Sequence, residues 1–257
     1  MDNIIERYEY KYLIPDRLIP AIRATVQTTS RIDKYAGPDG TYRIRSLYFD
    51  TDRFDLYWAN EREQGDRFKL RARMYPGSTK SPVFLEVKRR RLDVIIKTRA
   101  AVPADLWRDV LAGREAALGA LPPSARKAAL RFLAPYHRHH IHPVVLVEYV
   151  REAYISELES YARLTFDSKI TVQSRDTLDL EADPRRWRPI DHTVQTRTAE
   201  PITVLELKFE RRPPAWMVAM VKRLELVRYS FSKYCYGVNA ELTLPGERSP
   251  RMLWRGG

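Results

Sequence analysis

The stretch Arg67-Phe-Lys-Leu-Arg-Ala-Arg-Met-Tyr75 is typical of a β-strand with two chemically different faces. Successive side chains of a strand point to opposite sides, so one face carries Lys69, Arg71 and Arg73. The other face carries the apolar residues Phe68, Leu70, Ala72 and Met74. A single strand of this kind could direct its charges to solvent, so the interpretation depends on whether the pattern recurs along the chain.

The pattern recurs in about eight segments, and each of them places at least one Lys or Arg on the charged face. These segments cover residues 7–13, 42–49, 67–75, 83–89, 94–99, 144–154, 162–167 and 203–209. The opposite faces are aromatic or aliphatic. The cations assigned to the charged faces are Lys11, Arg43, Arg45, Lys69, Arg71, Arg73, Lys88, Lys97, Arg151, Arg163 and Lys208.

Segments with helical spacing of apolar residues lie between these strands. They cover residues 16–28, 53–60, 105–111, 124–136 and 213–230. If the sheet closes with its apolar face outward under these helices, the cationic face lines the interior. The sequence therefore predicts an α+β fold, in which a closed antiparallel β-barrel of about eight strands forms a basic tunnel and the helices pack on the outside.

The composition favours an anionic partner. The chain has 257 residues, with 45 Lys and Arg against 33 Asp and Glu, a net charge of +12 and a pI near 9.8. Nucleic acid, phosphate compounds and a membrane surface all remain open on charge alone.

One cysteine, Cys235, excludes an internal disulfide framework and fits a reducing compartment. No secretory signal or long apolar run is visible, so we expect a cytoplasmic protein that could still dock to a membrane partner.

A basic interior is unfavourable when it is empty, because two like charges about 6 Å apart repel by roughly 3 kcal/mol at an effective dielectric of about 20. Arg and Lys become favourable there when they form charge-assisted bonds to the phosphate oxygens of a threaded polyanion. Glu9, Glu86 and Glu206 add carboxylates to the same lining. Such oxygens suit Mg²⁺ or Mn²⁺, which predicts metal-assisted phosphoryl transfer. For Glu206, a salt bridge to Lys208 or a neighbouring arginine is the competing interpretation.

Two other segments need an interpretation. The run His137-Arg-His-His-Ile-His142 could bind zinc, but no cysteine or well-spaced carboxylate completes a ligand set, so we interpret it as a solvated loop. Residues 170–199 are polar and irregular, which predicts a long connection within the domain. We expect residues 1–245 to form a single domain and residues 246–257 to be a loose C-terminal tail.

An ordered set of short motifs resembles a known family. The motifs are Arg7-x-Glu9-x-Lys11-Tyr, Ser46-Leu-Tyr-Phe-Asp-Thr51, Lys69-Leu-Arg-x-Arg73, Glu86-x-Lys88, Tyr149-x-Arg151, Arg163-x-Thr-Phe-Asp167, Glu206-x-Lys208 and Ser232-Lys-Tyr234. Together they look like the VTC domain, the catalytic module of polyphosphate polymerases. That family belongs to the triphosphate tunnel metalloenzymes, which are relatives of the CYTH proteins.

The resemblance implies a tunnel that binds a nucleoside triphosphate with a divalent ion, Mn²⁺ or Mg²⁺, and moves the terminal phosphate to a growing chain. It implies Arg71, Arg73, Lys88 and Lys233 as catalytic residues and Glu206 as the metal ligand, with Glu9 and Glu86 as secondary ligands. Ser232 would assist. The expected triphosphate- or polyphosphate-binding residues, which include secondary ones placed by face parity, are Lys11, Arg45, Lys69, Lys97, Arg151, Arg163, Lys208 and Ser232.

The sequence departs from the CYTH pattern at one position, and the resemblance leaves three candidate functions. The CYTH opening motif is Glu-x-Glu-x-Lys, and Arg7 replaces its first glutamate, which favours polymer handling over simple hydrolysis. We therefore expect an ATP-dependent polyphosphate polymerase. A tunnel triphosphatase and a non-catalytic polyphosphate-binding module are the alternatives. A nucleic-acid partner is not expected, because the tyrosines of the first strand lie opposite its charges. Eukaryotic members add membrane helices, so a membrane partner here would be a separate chain.

Overall fold

The structure is a computed structural model that describes residues 7–77, 81–92 and 94–241. The strands in this part of the chain are β1 (Arg7–Pro15), β2 (Ser30–Ile32), β3 (Thr41–Asp50), β4 (Asp66–Met74), β5 (Val83–Arg91), β6 (Val94–Val102), β7 (His142–Ser156), β8 (Ala162–Ser174), β9 (Arg188–Pro189) and β10 (Ile202–Glu210). The helices are α1 (Ile19–Val26), α2 (Asp55–Glu61), α3 (Trp107–Leu111), α4 (Glu115–Gly119), α5 (Pro123–Arg138), α6 (Thr193–Thr196), α7 (Ala215–Arg223) and α8 (Lys233–Glu241). The predicted α+β class is confirmed.

One antiparallel sheet organises the molecule. Its hydrogen-bonded order is β1-β10-β8-β7-β3-β4-β5-β6, with β2 paired to β7 and β9 paired to β8. Burial alternates along β4 as the sequence predicts for the first quoted stretch: Leu70 and Ala72 are fully buried, whereas Lys69 and Arg71 are only partly buried. All eight predicted strand segments form strands of this sheet.

The prediction of a closed barrel is wrong. Within the described residues, the hydrogen-bonded ladder ends at β1 on one side and at β6 on the other. The two edge strands nevertheless approach each other, so the sheet is strongly curled. Side chains connect the two sides of this seam, since Lys88 Nζ on β5 lies 2.9 Å from Glu9 Oε1 on β1. At this seam, an ion pair between long side chains connects the two sides of the sheet, where backbone hydrogen bonds would close a barrel.

Two apolar clusters cover the outer face of the sheet. The first packs β3 to β6 against α3, α4 and α5, with Leu85, Trp107 and Phe132 at its centre. The second packs β1, β8 and β10 against α1 and α7, with Ile22, Leu164 and Met217 buried. This arrangement leaves the opposite, inner face for the charged side chains, as the alternation predicts.

Helix α8 departs from the prediction that the helices lie outside the sheet. It packs against the inner face, where a third apolar cluster joins its residues Tyr234 and Val238 to Val145, Val147 and Val172. The backbone approaches the sheet so closely at Gly237 that an added Cβ would lie 3.2 Å from Val172 Cγ1. Consequently α8 fills part of the interior and brings its first residue, Lys233, to the inner surface.

Other boundaries also differ from the sequence prediction. Strand β8 continues to Ser174, so the irregular connection begins later than residue 170 and contains the short β9 and α6. Helix α7 ends at Arg223 rather than near residue 230. The histidine run is split, because α5 extends to Arg138 and β7 begins at His142. The expected C-terminal tail, residues 246–257, lies outside the described residues.

Among the helices of the described part of the chain, none has both the length and the apolar character needed to cross a bilayer. The longest of them, α5, has 16 residues.

Candidate active site

A cavity of about 2550 Å³ follows the inner face of the curled sheet. Among the residues that the structure describes, 19 Lys and Arg and five Asp and Glu line it. All but one of the residues predicted for the site are in this lining. They are Glu9, Lys11, Lys69, Arg71, Arg73, Glu86, Lys88, Lys97, Arg151, Arg163, Glu206, Lys208, Ser232 and Lys233.

Arg45 is the exception, and its assignment by face parity is wrong. Its Nε lies 2.8 Å from Glu148 Oε2, and its Nη1 donates to the carbonyl of Leu180 at 2.9 Å. Arg45 shares its face of β3 with Leu47 and Phe49, which belong to the outer core. The structure therefore places Arg45 away from the cavity.

Glu206 on β10 is the centre of one charged cluster. Its carboxylate lies 2.7 Å from Lys208, 3.3 Å from both Arg151 and Lys233, and 3.6 Å from Lys11. Burial by itself would raise the pKa of Glu206, but these cations outweigh it and hold the pKa well below its usual value. Glu206 is therefore ionised, and the predicted salt bridge to Lys208 is present.

Asp167 on β8 extends this cluster, and the sequence interpretation did not assign it to the site. Its side chain is fully buried and accepts hydrogen bonds from Arg151 Nε at 2.6 Å and from Lys233 Nζ at 2.5 Å. Burial would raise the pKa of Asp167, yet Arg151 and Lys233 hold it below the usual value. The parity signal was available, because Asp167 shares its face of β8 with Arg163 and Thr165.

Glu86 on β5 is the centre of a second cluster. Its carboxylate lies 2.6 Å from Arg71, 2.8 Å from Lys97, 3.4 Å from Arg99 and 3.8 Å from Arg73. Glu86 is 1% exposed, and although burial would raise its pKa, the cations hold the pKa far below the usual value. One buried carboxylate on β5 thus fixes four cations, two from β4 and two from β6, in a compact array.

A third group of contacts spans the seam and the start of α8. Glu9 pairs with Lys88 at 2.9 Å and with Lys11 at 3.4 Å. Lys69 Nζ donates to Ser232 Oγ at 2.7 Å, and Ser232 Oγ in turn accepts a hydrogen bond from the backbone N–H of Cys235. These contacts connect β4 and β5 with β1 and α8 across the cavity.

Tyrosines support the arginines, which the sequence interpretation did not anticipate. Arg71 Nη1 donates to the Tyr48 hydroxyl at 3.0 Å, and Arg73 Nη2 lies 3.4 Å from the Tyr149 hydroxyl. The Lys233 ammonium lies 4.6 Å from the centre of the Tyr149 ring, within cation–π range. These tyrosines hold the cations in place, so the array needs little rearrangement to accept phosphate oxygens.

The motifs that supply this cationic array belong to a longer match with a known family. The family model described as "VTC domain" matches residues 6–242, which is most of the chain. The chain belongs to the VTC domain family.

Solved structures with similar folds are distant in sequence. A putative adenylyl cyclase from Hippeastrum, described as having a dominant triphosphatase activity, is similar with a TM-score of 0.50 and 15% identity, over 94% of this VTC domain and 98% of that chain. A putative adenylate cyclase from Bacillus halodurans is similar with a TM-score of 0.48 and 16% identity, over 89% and 94% of the two chains. At 15% identity the likeness to the Hippeastrum protein concerns the fold alone.

The carboxylates of the VTC domain suit a divalent cation that also binds substrate. Magnesium is usually held by one or two carboxylates together with phosphate oxygens and water. Glu206 fits this role, because it is ionised and the negative charges of Glu9 and Asp167 act beside it. Glu86 fits less well, since the charges that act on it are Arg71, Arg73 and Lys97. In the described part of the chain no cluster of three His, Cys, Asp or Glu could hold a metal, so substrate oxygens would complete the coordination.

Two lysines of the VTC domain lose protons more easily than usual. Partial desolvation by the cavity walls lowers the pKa of Lys97, whose side chain is 43% exposed, to about 7, although Glu86 acts against this shift. Burial lowers the pKa of Lys69 to about 8, and the nearby cations Lys11 and Lys88 add to the effect. Desolvation is the largest cause of both shifts, because it disfavours the charged form of a lysine. A bound anion would act in the opposite direction and raise both values.

Proposed function

We propose that this VTC domain is a polyphosphate polymerase that transfers the terminal phosphoryl group of ATP to the end of a polyphosphate chain. A terminal oxygen of the chain attacks the γ-phosphorus, the bond to the β-phosphate oxygen breaks, and ADP leaves while the chain grows by one phosphate. The observation that carries this proposal is the extent of the cationic lining. It continues along β4, β5 and β6 well beyond what a single triphosphate can cover.

The clusters around Glu206 and Glu86 have separate roles in this proposal. Lys233 and Arg151, positioned by Asp167, stabilise charge on the transferred phosphoryl group, and Lys88 does so from the other side of the seam. Arg71 and Arg73 hold phosphate oxygens in an array that Glu86 fixes. Mn²⁺ or Mg²⁺ at Glu206 would neutralise phosphate charge, in line with the general use of divalent ions by tunnel metalloenzymes.

The reaction is tested with pure protein, ATP, Mn²⁺ and a short polyphosphate primer. We expect chains longer than the primer on a gel and one ADP for each phosphate added, by ³¹P NMR. A Lys233→Ala variant should lose chain growth, while a Lys127→Ala variant on the exposed side of α5 should retain it. If wild-type protein forms no chain longer than the primer, the polymerase proposal is wrong.

A triphosphatase is the second candidate, because the Hippeastrum protein with the same fold is described as having that activity. The same experiment separates the two reactions. A triphosphatase releases inorganic phosphate from ATP or inorganic triphosphate and does not lengthen the primer. A binding module would retain the polyanion without turnover, also after Glu206→Ala.

A further inference from the structure

The two ends of the cavity differ in chemistry. Because β4 and β5 are antiparallel, Arg73 lies opposite Phe84 and Arg67 lies opposite Arg90. The second of these ends is dominated by charge, with Arg67, Arg89, Arg90 and Arg91 in the lining. The first end is aromatic, with Tyr42, Tyr75 and Phe84 in the lining. A strand rises about 3.3 Å per residue, so the two ends are roughly 20 Å apart along β5.

The aromatic residues form one connected group. The rings of Tyr75 and Phe84 meet edge to face at 5.8 Å, and Tyr42 lies 6.0 Å from Tyr75. The Arg99 guanidinium lies 3.5 Å from the centre of the Phe84 ring, and Arg99 Nη2 lies 3.3 Å from the Tyr75 hydroxyl. Phe84, Tyr75 and Tyr42 are all partly exposed. We name this group, Tyr42, Tyr75, Phe84 and Arg99, the aromatic platform.

Phe84 is unusual for its position. It occupies the inner face of β5, where the next inward residues are Glu86, Lys88 and Arg90. Proteins bind unpaired bases by stacking them on aromatic rings or on arginine guanidinium planes, and this partly exposed mouth of the cavity offers both. The platform is also joined to the phosphate array, because Arg99 Nε lies 3.4 Å from Glu86 Oε1.

We propose that the aromatic platform binds the nucleobase of the phosphate donor by stacking. The base then lies at the mouth formed by Phe84, Tyr75 and Tyr42, and the phosphates extend inward. Glu86 and Lys88 lie about 7 and 13 Å further along β5, within the reach of a triphosphate that starts at the platform. This proposal rests on the proposed function only for the identity of the donor, since any nucleotide can be used to test it.

The test compares ADP with pyrophosphate, two ligands with equal numbers of phosphates of which only one has a base, and neither requires turnover. Wild-type protein should bind ADP more tightly than pyrophosphate in the presence of Mg²⁺. Phe84→Leu retains an apolar side chain but loses the ring, and it should weaken ADP binding roughly tenfold, in line with the measured range for base stacking. Its affinity for pyrophosphate should change less than about twofold, and Phe84→Trp should restore ADP binding.

Each other outcome counts against the platform. Equal weakening of ADP and pyrophosphate by Phe84→Leu would mean that Phe84 only supports the phosphate array. No change for either ligand would mean that the base binds elsewhere. Equal wild-type affinity for the two ligands would mean that the base is not bound at all. A protein that binds ADP as proposed but never extends polyphosphate would overturn the proposed function and leave this inference intact.

Discussion

Glu86 shows how a single buried carboxylate can determine the geometry of a cationic site. Two cations from β4 and two from β6 converge on it, and its negative charge reduces the repulsion among them. Glu206 has the same role on the other side of the seam, with Asp167 as its neighbour. At the scale of single residues, the chemistry of the site depends on which carboxylates would keep their contacts with the cations if a phosphate group bound.

Replacing Glu86 by Gln should destabilise the free protein. The change leaves four cations without their shared partner, and breaking a buried pair in this way costs about 3–5 kcal/mol. Inorganic polyphosphate supplies the missing negative charge, so it should restore more stability to this variant than to wild type. Thermal unfolding with and without polyphosphate measures both effects. Glu181→Gln, whose side chain is 83% exposed, serves as the control and should change the midpoint little.

Polyphosphate affinity should fall as the pH rises from about 6.5 to 8.5. A lysine with a lowered pKa is charged below that pKa and neutral above it, so Lys97, with a pKa of about 7, and Lys69, with a pKa of about 8, lose charge in this window. A charge-assisted hydrogen bond is worth about 1.5–3 kcal/mol, so the loss at Lys69 is roughly tenfold or more, and solvent screening makes the loss at Lys97, whose side chain is 43% exposed, smaller.

Lys97→Arg should flatten that pH profile, because arginine stays charged throughout the window. Titration calorimetry at several pH values measures the affinity, and buffers of different ionisation enthalpy report the proton uptake. Lys127→Arg on the exposed side of α5 is the matched substitution and should leave the profile as in wild type. A profile that is equally steep in Lys97→Arg would show that Lys97 is not a titrating group of the site.

At the scale of elements, α8 connects the core to the site. Its side chains pack against the inner face of β7 and β8, and its first residue, Lys233, contacts Asp167 and Glu206. Any shift of α8 relative to the sheet therefore moves Lys233 relative to the cluster around Glu206. The stability of the fold and the geometry of the site are linked through this helix.

Gly237→Val should destabilise the protein and lower its activity together. An added Cβ would lie 3.2 Å from Val172 and 3.3 Å from Val145, and overpacking of this kind costs about 1–3 kcal/mol. Chemical denaturation measures the loss of stability, and the rate of ADP release measures the displacement of Lys233. Gly119→Ala at the end of α4 meets no atom within 4 Å, so it should leave both quantities nearly unchanged. Full activity in a destabilised Gly237→Val protein would contradict the link through α8.

At the scale of the whole molecule, the cationic array exists only in the folded sheet, because its cations come from strands that are distant in sequence. Lys11 on β1 lies opposite Glu206 on β10, and Lys88 on β5 reaches across the seam to Glu9 on β1. The unfolded chain does not have this array. Folding and polyanion binding should therefore be thermodynamically linked.

Inorganic polyphosphate should raise the melting temperature of the protein. At a concentration of 100 times the dissociation constant, a ligand specific for the folded state adds about 2.7 kcal/mol. For a chain of this size that corresponds to roughly 5–10 °C. Differential scanning calorimetry measures the shift, and an Arg71→Ala, Arg73→Ala double variant should show a clearly smaller one. An unchanged midpoint at saturating polyphosphate would exclude an enclosed basic site.

The alternation of side chains in the sequence determined which strands form, and for nearly all predicted site residues it determined the inner face. Strand parity is a local property of the backbone, so it needs no knowledge of neighbours. Parity gave the wrong face for Arg45, because Arg43 and Arg45 share their face of β3 with Leu47 and Phe49. The two arginines suggested the charged inner face, whereas the two apolar residues that follow belong to the outer core. Asp167 had the correct parity but no distinguishing feature of its own in the sequence.

Only the tertiary structure decided the rest. Helix α8 has no one-sided apolar stripe, because it is buried inside the curl, so its sequence did not indicate a surface helix. The open seam depends on how far the sheet curls, which packing between distant elements determines. The grouping of four cations around Glu86 and four around Glu206 likewise depends on strand register. The sequence thus determined which residues face inward, and the tertiary structure determined which of them meet, because long-range contacts are not encoded in local periodicity.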